Sequence, residues 1–421
     1  MNEADERDAL YQAIMDNWED DTPRLVYADW LDERDDEPSR VRAELIRVQC
    51  ETTRLRSTGQ KVPVKTEERE QELFKQVWAD LCAGGVDGYF SPPYRPRFHR
   101  GFIAPGEYDE ENSRDRTTFL AVPLETWRLL GPVDEPGQMF LNFDHTLGER
   151  NTTRITREFQ ELANSPALRY WRSIRIGTGW RQTIGEDNFV TLINSAHLRN
   201  VRTLEVTDQT RTHYEEERCP LGNRALTALA GNPVLSRLAS IKIWWSGVDD
   251  TALKVLAKSD HLRGIRHLSL ADHFTEKGVG ALAKSPILGS VESLHLNAPL
   301  TGRSLERLLR SPWLKNLNNL DLSGYTSGCH ESDSLHYGEL GRMLDSDGVR
   351  ALANSAIVAQ LRRLKIGGDV AAIDPLVKAL EQRGVLEQLE LDVAWGDEEV
   401  GALQQRLSCK VFLFGRPFRG G

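Results

Sequence analysis

Four side chains able to hold a metal ion fall close together in the chain: Cys329, His330, Asp333 and His336. Thiolate, imidazole and carboxylate groups bind zinc and its neighbours, and a metal held there would activate water for hydrolysis. The alternative is a polar surface loop. Cys329 and His330 are adjacent, which is a poor spacing for chelation, and the set has no second copy. A second pattern, Tyr94-Arg-Pro-Arg-Phe-His-Arg-Gly-Phe102, alternates cations with rings, as contact with a single nucleic-acid strand would require. The charge of the chain as a whole opposes that use. The segment is expected to be a capping strand, and no nucleic-acid partner is expected.

A third group is spread over runs in which apolar residues alternate with other types: Lys242, Trp244, His267, Ser269, His295, Asn297, Asp321 and Ser323. Alternate side chains of a strand share a face. These residues would therefore stand together on the open side of a sheet, and the expected partner contact is Lys242, Trp244, His267, His295, Asn297 and Asp321. An exposed tryptophan is a common anchor for a bound protein. The other reading is a solvated polar face with Trp244 covered by a loop. No Gly-x-x-x-x-Gly-Lys-Ser/Thr, His-Glu-x-x-His or Gly-x-Ser-x-Gly motif is present, which lowers the odds of a P-loop NTPase, a zincin or an α/β-hydrolase. No catalytic residue and no cofactor are assigned.

The elements that must position the third group are set by internal repetition. One unit recurs down the C-terminal two-thirds: an apolar helix, a small turn, a leucine, then a short strand reading apolar-x-apolar. Leu253, Leu256 and Ala257 form the helical stripe of one copy, and Leu268 and Leu270 form its strand. The strand ends fall at Ile176, Val206, Ile243, Leu270, Leu296, Leu322, Ile366 and Leu391, with a partial copy near Leu413. The base period is about 26 residues. A single unit cannot bury both of its apolar faces, so successive units must stack and share a core. Ser165-Pro166, Asn232-Pro233, Ser285-Pro286 and Ser311-Pro312 mark helix stops, because a proline holds the residue before it extended.

The Ser-Pro-x-Leu-x-x-Leu-x-x-Leu-x-Leu units, and the Asp347–Leu352 start, resemble the ribonuclease-inhibitor-like class of leucine-rich repeats over about residues 155–410. The resemblance implies an α/β solenoid with parallel strands on the concave side and helices on the convex side. One departure is that the asparagine often found after the strand occurs once, as Asn297, where other units carry Ala271 or Ser323.

Residues 1–50 hold 15 acidic side chains and 6 arginines, a net charge of −9, while the remainder is close to neutral. Three helices are expected here. The first has Leu10 and Ile14 inward. The second is capped by Thr22 ahead of Pro23 and carries Leu25, Ala28 and Leu31. The third is capped by Ser39 and has Val41, Leu45 and Val48 inward. The string Asp20-Asp-Thr-Pro-Arg-Leu-Val-Tyr-Ala-Asp-Trp-Leu-Asp-Glu-Arg34, followed by Arg42-Ala-Glu-Leu-Ile-Arg-Val-Gln49, resembles the bacterial repeat-companion domain, which sits ahead of repeat arrays. Trp18 stands where that family usually has proline, and Asp35 where it usually has glycine. The family supplies no activity to carry over. Tyr27, Asp29 and Trp30 read either as a docking surface or as core aromatics with a capping carboxylate.

The expected organisation is an acidic all-α module at 1–57, a connecting helix and linker at 58–93, and a degenerate first repeat or cap at 94–154. The repeat array then fills 155–421, with insertions at 207–222 and 324–344 and a C-terminal cap. Within the cap region, Arg97–Ile103 and Met139–Phe143 read as strands and Phe119–Leu130 as a helix. Five widely spaced cysteines without a CxxC pair fit a reducing compartment. With an acidic, non-apolar start, they point to a cytoplasmic protein with no membrane partner. The leading expectation is a non-enzymatic scaffold that holds a protein or peptide on its strand face and rim loops. The alternatives are a metal-dependent hydrolase using the insertion loops, or a purely structural or assembly protein.

Overall fold

A computed structural model describes residues 3–83, 97–104, 124, 130–132, 139–141, 149–178, 185–208, 221–244, 247–271, 274–298, 300–323, 344–367, 373–383, 385–392, 397–413 and 416–417. The protein is α/β, and the chain divides into two compact units: Met1–Gly179 with Ser195–Thr203, and Trp180–Asn194 with Leu204–Gly421. The expected helix at Phe119–Leu130 and the two insertions lie almost wholly outside the described residues.

The first unit opens with four helices: α1 (Glu3–Asp16), α2 (Thr22–Asp32), α3 (Glu37–Ser57) and α4 (Val64–Ala83). The buried face of α1 is Tyr11, Ile14 and Met15, while Leu10 is only half-buried. The ring of Tyr11 displaces leucine from that stripe because it meets Tyr27, Phe102 and Tyr170 at centroid distances of 5.0, 6.1 and 6.0 Å. Thr22 is not a cap. It is the first helical residue, and Asp20 Oδ1 accepts from its N–H at 2.9 Å. Ser39 is likewise a donor, its N–H reaching the true cap, Asp36, at 2.8 Å.

Leu25 is 38% exposed, whereas Arg24 is wholly buried. Residues 24, 28 and 31 share one helical face, and the Arg24 guanidinium lies 4.6 Å from the centroid of Trp18. Burial lowers the pKa of that guanidinium to about 10. In α3, Val41, Ala43, Leu45 and Ile46 are buried, and Val48 is only half-buried. The helix α4 belongs to this layer and is more than a connector: Leu73, Val77 and Leu81 are buried at four-residue spacing, and Arg69 forks onto Glu44 of α3 at 2.8 and 2.7 Å.

The segment Arg97–Ile103 is not one strand but a hairpin of β1 (Arg97–His99) and β2 (Phe102–Ala104). The turn needs left-handed backbone, with φ 51° at Arg100 and 83° at Gly101. The buried Gln49 of α3 fastens the hairpin: its Nε2 donates to Phe98 O at 3.0 Å and its Oε1 accepts from Gly101 N at 2.7 Å. The unit closes with β3 (Met139–Leu141), α5 (Glu149–Asn164) and β4 (Ser173–Thr178), with β3 and β4 pairing in parallel. Gln12 of α1 exchanges two 3.0 Å amide hydrogen bonds with Asn200.

The second unit alternates helix and strand: α6 (Glu186–Ile193), β5 (Thr203–Asp208), α7 (Gly222–Gly231), β6 (Ser240–Trp244), α8 (Asp250–Leu256), β7 (His267–Ala271), α9 (Glu276–Leu282), β8 (Ser293–Asn297), α10 (Gly302–Leu309), β9 (Asn319–Leu322), α11 (Ser346–Ala353), β10 (Arg363–Gly367), α12 (Ile373–Arg383), β11 (Gln388–Asp392), α13 (Asp397–Arg406), β12 (Lys410–Leu413) and β13 (Arg416–Pro417). Strand order in the sheet follows chain order. Every pairing from β6 to β12 is parallel, and β13 closes the edge antiparallel.

Ile241, Leu268, Leu294, Leu320, Leu364, Leu389 and Val411 are mutual register partners across seven strands, and all are buried. Ile243, Leu270 and Leu296 form a second buried column two residues on. Helical residues such as Leu253, Leu256, Leu282, Leu305 and Leu308 complete the core.

Two of the residues read as helix stops, together with Ser259, also tie neighbouring repeats together. Asn232 Nδ2 donates to Ile193 O at 2.5 Å, Ser259 Oγ to Ala230 O at 2.6 Å, and Ser285 Oγ to Ala257 O at 2.5 Å. Asn232 and Ser285 also accept from the N–H two residues on, capping the short 3-10 turn that their prolines open. Carbonyls left orphaned at one helix end are thereby satisfied by the next unit. At the opposite helix ends, Asp250 accepts from the Thr275 and Gly278 N–H groups at 2.8 and 3.0 Å. A Cβ on Gly278 would lie 2.3 Å from Asp250 Oδ1, so glycine is required for this approach.

Candidate functional site

Between the two buried columns, the residues of opposite parity face outward. Lys242, Ser269, His295, Asp321, Lys365 and Glu390 are register partners on six consecutive strands. All six are partly exposed, while the residues flanking them along each strand are buried. The period-two alternation places them there. One buried face forces the other outward, and any slip by one residue would exchange the two.

Three of these outward side chains, Lys242, Ser269 and His295, form a connected cluster with Trp244. Trp244 Nε1–H donates to Ser269 Oγ at 2.8 Å, and Ser269 Oγ lies 2.8 Å from His295 Nδ1. With the hydroxyl already accepting from the indole, its proton is available to an unprotonated Nδ1. The Trp244 and His295 rings meet edge to face at 5.2 Å. The Lys242 ammonium stands 4.1 Å from the Trp244 centroid and pairs with Glu205 Oε1 at 2.5 Å. The tryptophan is thus held on three sides, and these contacts set its orientation.

Asp321 neighbours His295 in the register, but Asp321 Oδ1 accepts from Ser323 N at 3.0 Å and Ser323 Oγ at 2.6 Å. Among the described residues no carboxylate hydrogen-bonds the imidazole, so within them the Ser269–His295–Asp321 row lacks the orienting bond of a nucleophilic triad. The row presents one ring edge, one hydroxyl and charges of both signs. Beyond Asp321, Lys365 and Glu390 form a further pair at 3.4 Å. The stripe therefore alternates in charge from Glu205 to Glu390.

Of the six expected contact residues, the fold brings Lys242, Trp244 and His295 together and sets Asp321 beside them. His267 is exposed, one pleat from Ser269 along β7 and in register with Ser293. Asn297 is half-buried at the end of β8, in register with Ala271. Ser269, Glu205, Lys365 and Glu390 were not among the six. Ser269 already stood in the wider outward group, and Glu205, Lys365 and Glu390 each occupy the middle of an apolar-x-apolar triplet, the same signal that marked Lys242. Cys329, His330, Asp333 and His336 lie outside the described residues. Among the described residues no three metal-competent side chains gather, and no helix is long and apolar enough to cross a membrane.

Burial lowers the His295 pKa below its ordinary 6.5, Lys365 and Lys242 push the same way, and the Asp321 charge opposes them. The folded state therefore refuses a proton that the unfolded chain accepts. Stability is fully present above pH 6.5 and is lost as pH falls through the folded-state value. Thermal melts of the wild type and His295→Gln should show a gap that narrows from pH 7.5 to pH 5.5. A gap independent of pH would contradict the neutral, half-buried imidazole.

No protein-family model matches the chain, and none of the curated proteins matches it either.

Proposed function

We propose that the second unit is a ribonuclease-inhibitor-like leucine-rich-repeat solenoid standing behind a bacterial repeat-companion module. In this reading the chain is a non-enzymatic cytoplasmic scaffold that holds a protein or peptide on its strand face and rim loops. The repeat assignment is supported by the period of about 26 residues and by leucines in register from strand to strand. The companion-module assignment draws support from Asp35, whose φ of 62° is left-handed backbone at the position where that family usually has glycine.

The observation that carries the interaction reading is the Lys242–Trp244–Ser269–His295 cluster. It is a partly exposed aromatic, pre-oriented by hydrogen bonds, on a mixed-charge stripe six strands wide. Aromatic anchors of this kind dominate protein interfaces, and rim charges add orientation and on-rate.

A photo-crosslinking residue placed at Ser293, on the same face between His267 and Asn319, tests the proposal in native lysate. The expected result is a discrete crosslinked product that disappears when Trp244, His295 and Asp321 are changed to Ala. The same products before and after those substitutions would remove the strand face from the interaction.

A further inference from the structure

In the first unit, Glu3, Arg7, Trp30, Glu33, Arg34 and Asp36 are among the residues that line a cavity of about 550 Å³. Its two arginines converge on a single carboxylate oxygen. Glu3 Oε1 lies 3.0 Å from Arg7 Nη2 and also pairs with Arg34 Nη2. The two halves of this contact are held very differently. The guanidinium side is fixed: Arg34 lies 4.0 Å from the Trp30 centroid, Trp30 stacks on Tyr27 at 5.6 Å, and Tyr27 is buried with its hydroxyl 2.9 Å from that of Tyr11. The arginine side chains are 22% and 18% exposed. Glu3, by contrast, is 61% exposed and is the first residue of α1. Terminal helical turns open at little cost.

Two more donors of these side chains are left over. Arg7 Nε and Arg34 Nη1 are buried and find no acceptor among the described residues. A carboxylate using both oxygens satisfies a guanidinium as a fork, a pairing that a single shared oxygen does not complete. We propose that the Arg7–Arg34–Trp30 cavity is a binding site for a peptide carboxylate, and that Glu3 is a tethered stand-in that the ligand displaces. Glu33 and Asp36 in the lining set the ligand's charge. They disfavour a multiply charged anion such as phosphate and favour a carboxylate flanked by neutral or cationic groups. This site is independent of the strand face.

The test uses the full chain labelled with 5-fluorotryptophan, with the Trp30 resonance among the 10 tryptophans assigned by its loss in Trp30→Phe. The titrants are acetyl-Ala-Glu-Ala-amide for a side-chain carboxylate, acetyl-Ala-Ala-Ala for a chain terminus, acetyl-Ala-Gln-Ala-amide as the neutral control, and inorganic phosphate. In Glu3→Gln at least one carboxylate peptide should move the Trp30 signal saturably. Its apparent affinity should be about tenfold tighter than in the parent chain, where the tethered Glu3 competes. Which of the two carboxylate peptides binds identifies the source of the group. Arg34→Lys, added to Glu3→Gln, keeps the charge, loses the fork and should weaken binding, while the other fluorine resonances report an intact fold. The proposal fails if Glu3→Gln shows no saturable shift up to about 10 mM peptide. It fails equally if the neutral control shifts Trp30 as well as the carboxylates do, or if phosphate binds more tightly than either of them.

Discussion

Replacing Gly101 with Ala should destabilise the first unit by about 3 kcal/mol, combining a left-handed backbone penalty with overpacking. Both costs are visible in the structure. Gly101 has φ 83°, and a Cβ there would fall 2.1 Å from Ile46 Cγ1 and 3.2 Å from Ile46 Cα. The obstacle is not a mobile side-chain tip. Ile46 is wholly buried in the middle of α3 and cannot swing into solvent. Moving the turn away instead would stretch the 2.7 Å bond from Gly101 N–H to Gln49 Oε1 and leave a buried amide without its partner. Hydrogen exchange of α3 amides gives the readout, because it reports the first unit separately from the second. The double variant Gly101→Ala with Ile46→Ala should be more stable than the sum of the two single losses implies, since the second change opens the space that the first one fills. Strict additivity would mean that the hairpin does not dock on α3 at this point.

Leu294→Ala should cost the second unit about 3–4 kcal/mol, the range for a fully buried leucine whose neighbours cannot close the gap. Leu294 is 0% exposed, and its register partners Leu268 and Leu320 are 1% and 0% exposed. All three are held by parallel backbone pairing, so the hole persists and both adjacent units lose contacts. Protection of amides in β7, β8 and β9 should fall together. By comparison, Ser293→Ala, one residue earlier on the outward face, should change stability by less than about 0.5 kcal/mol. Equal effects at the two positions would mean that the assignment of faces is wrong, and the outward column of Lys242, Ser269, His295 and Asp321 would fall with it.

That dependence of the candidate site on the core explains why so much of it could be read from the chain. The period of about 26 residues, the apolar-x-apolar strands and the parallel order were all legible, because each follows from short-range alternation repeated at a fixed interval. Once Leu268, Leu294 and Leu320 are placed inward, Ser269, His295 and Asp321 must stand outward, and no tertiary information is needed. The Ser and Asn residues at helix ends were legible only in part. Their role as stops is local, but their bonds to Ala230, Ala257 and Ile193 join residues 28 to 39 positions apart.

What the tertiary structure alone decided lies mostly in the helical module. A helical stripe says which faces are apolar but not which long side chains will reach across, so Tyr11 took the place expected of Leu10, and Arg24 that expected of Leu25. The hairpin at residues 97–104 had no turn signal stronger than Arg100-Gly101, and what holds it is Gln49, some 50 residues away. Nor does spacing in the chain connect Glu3 with Arg34 and Trp30. They meet because Tyr27 stacks beneath Trp30 and sets where both arginines point. Sequence by itself determined the repeating part of the protein, because there each residue's surroundings are its own neighbours copied one unit on. The non-repeating module depends on contacts between unlike segments, whose geometry is settled only when all of them are packed.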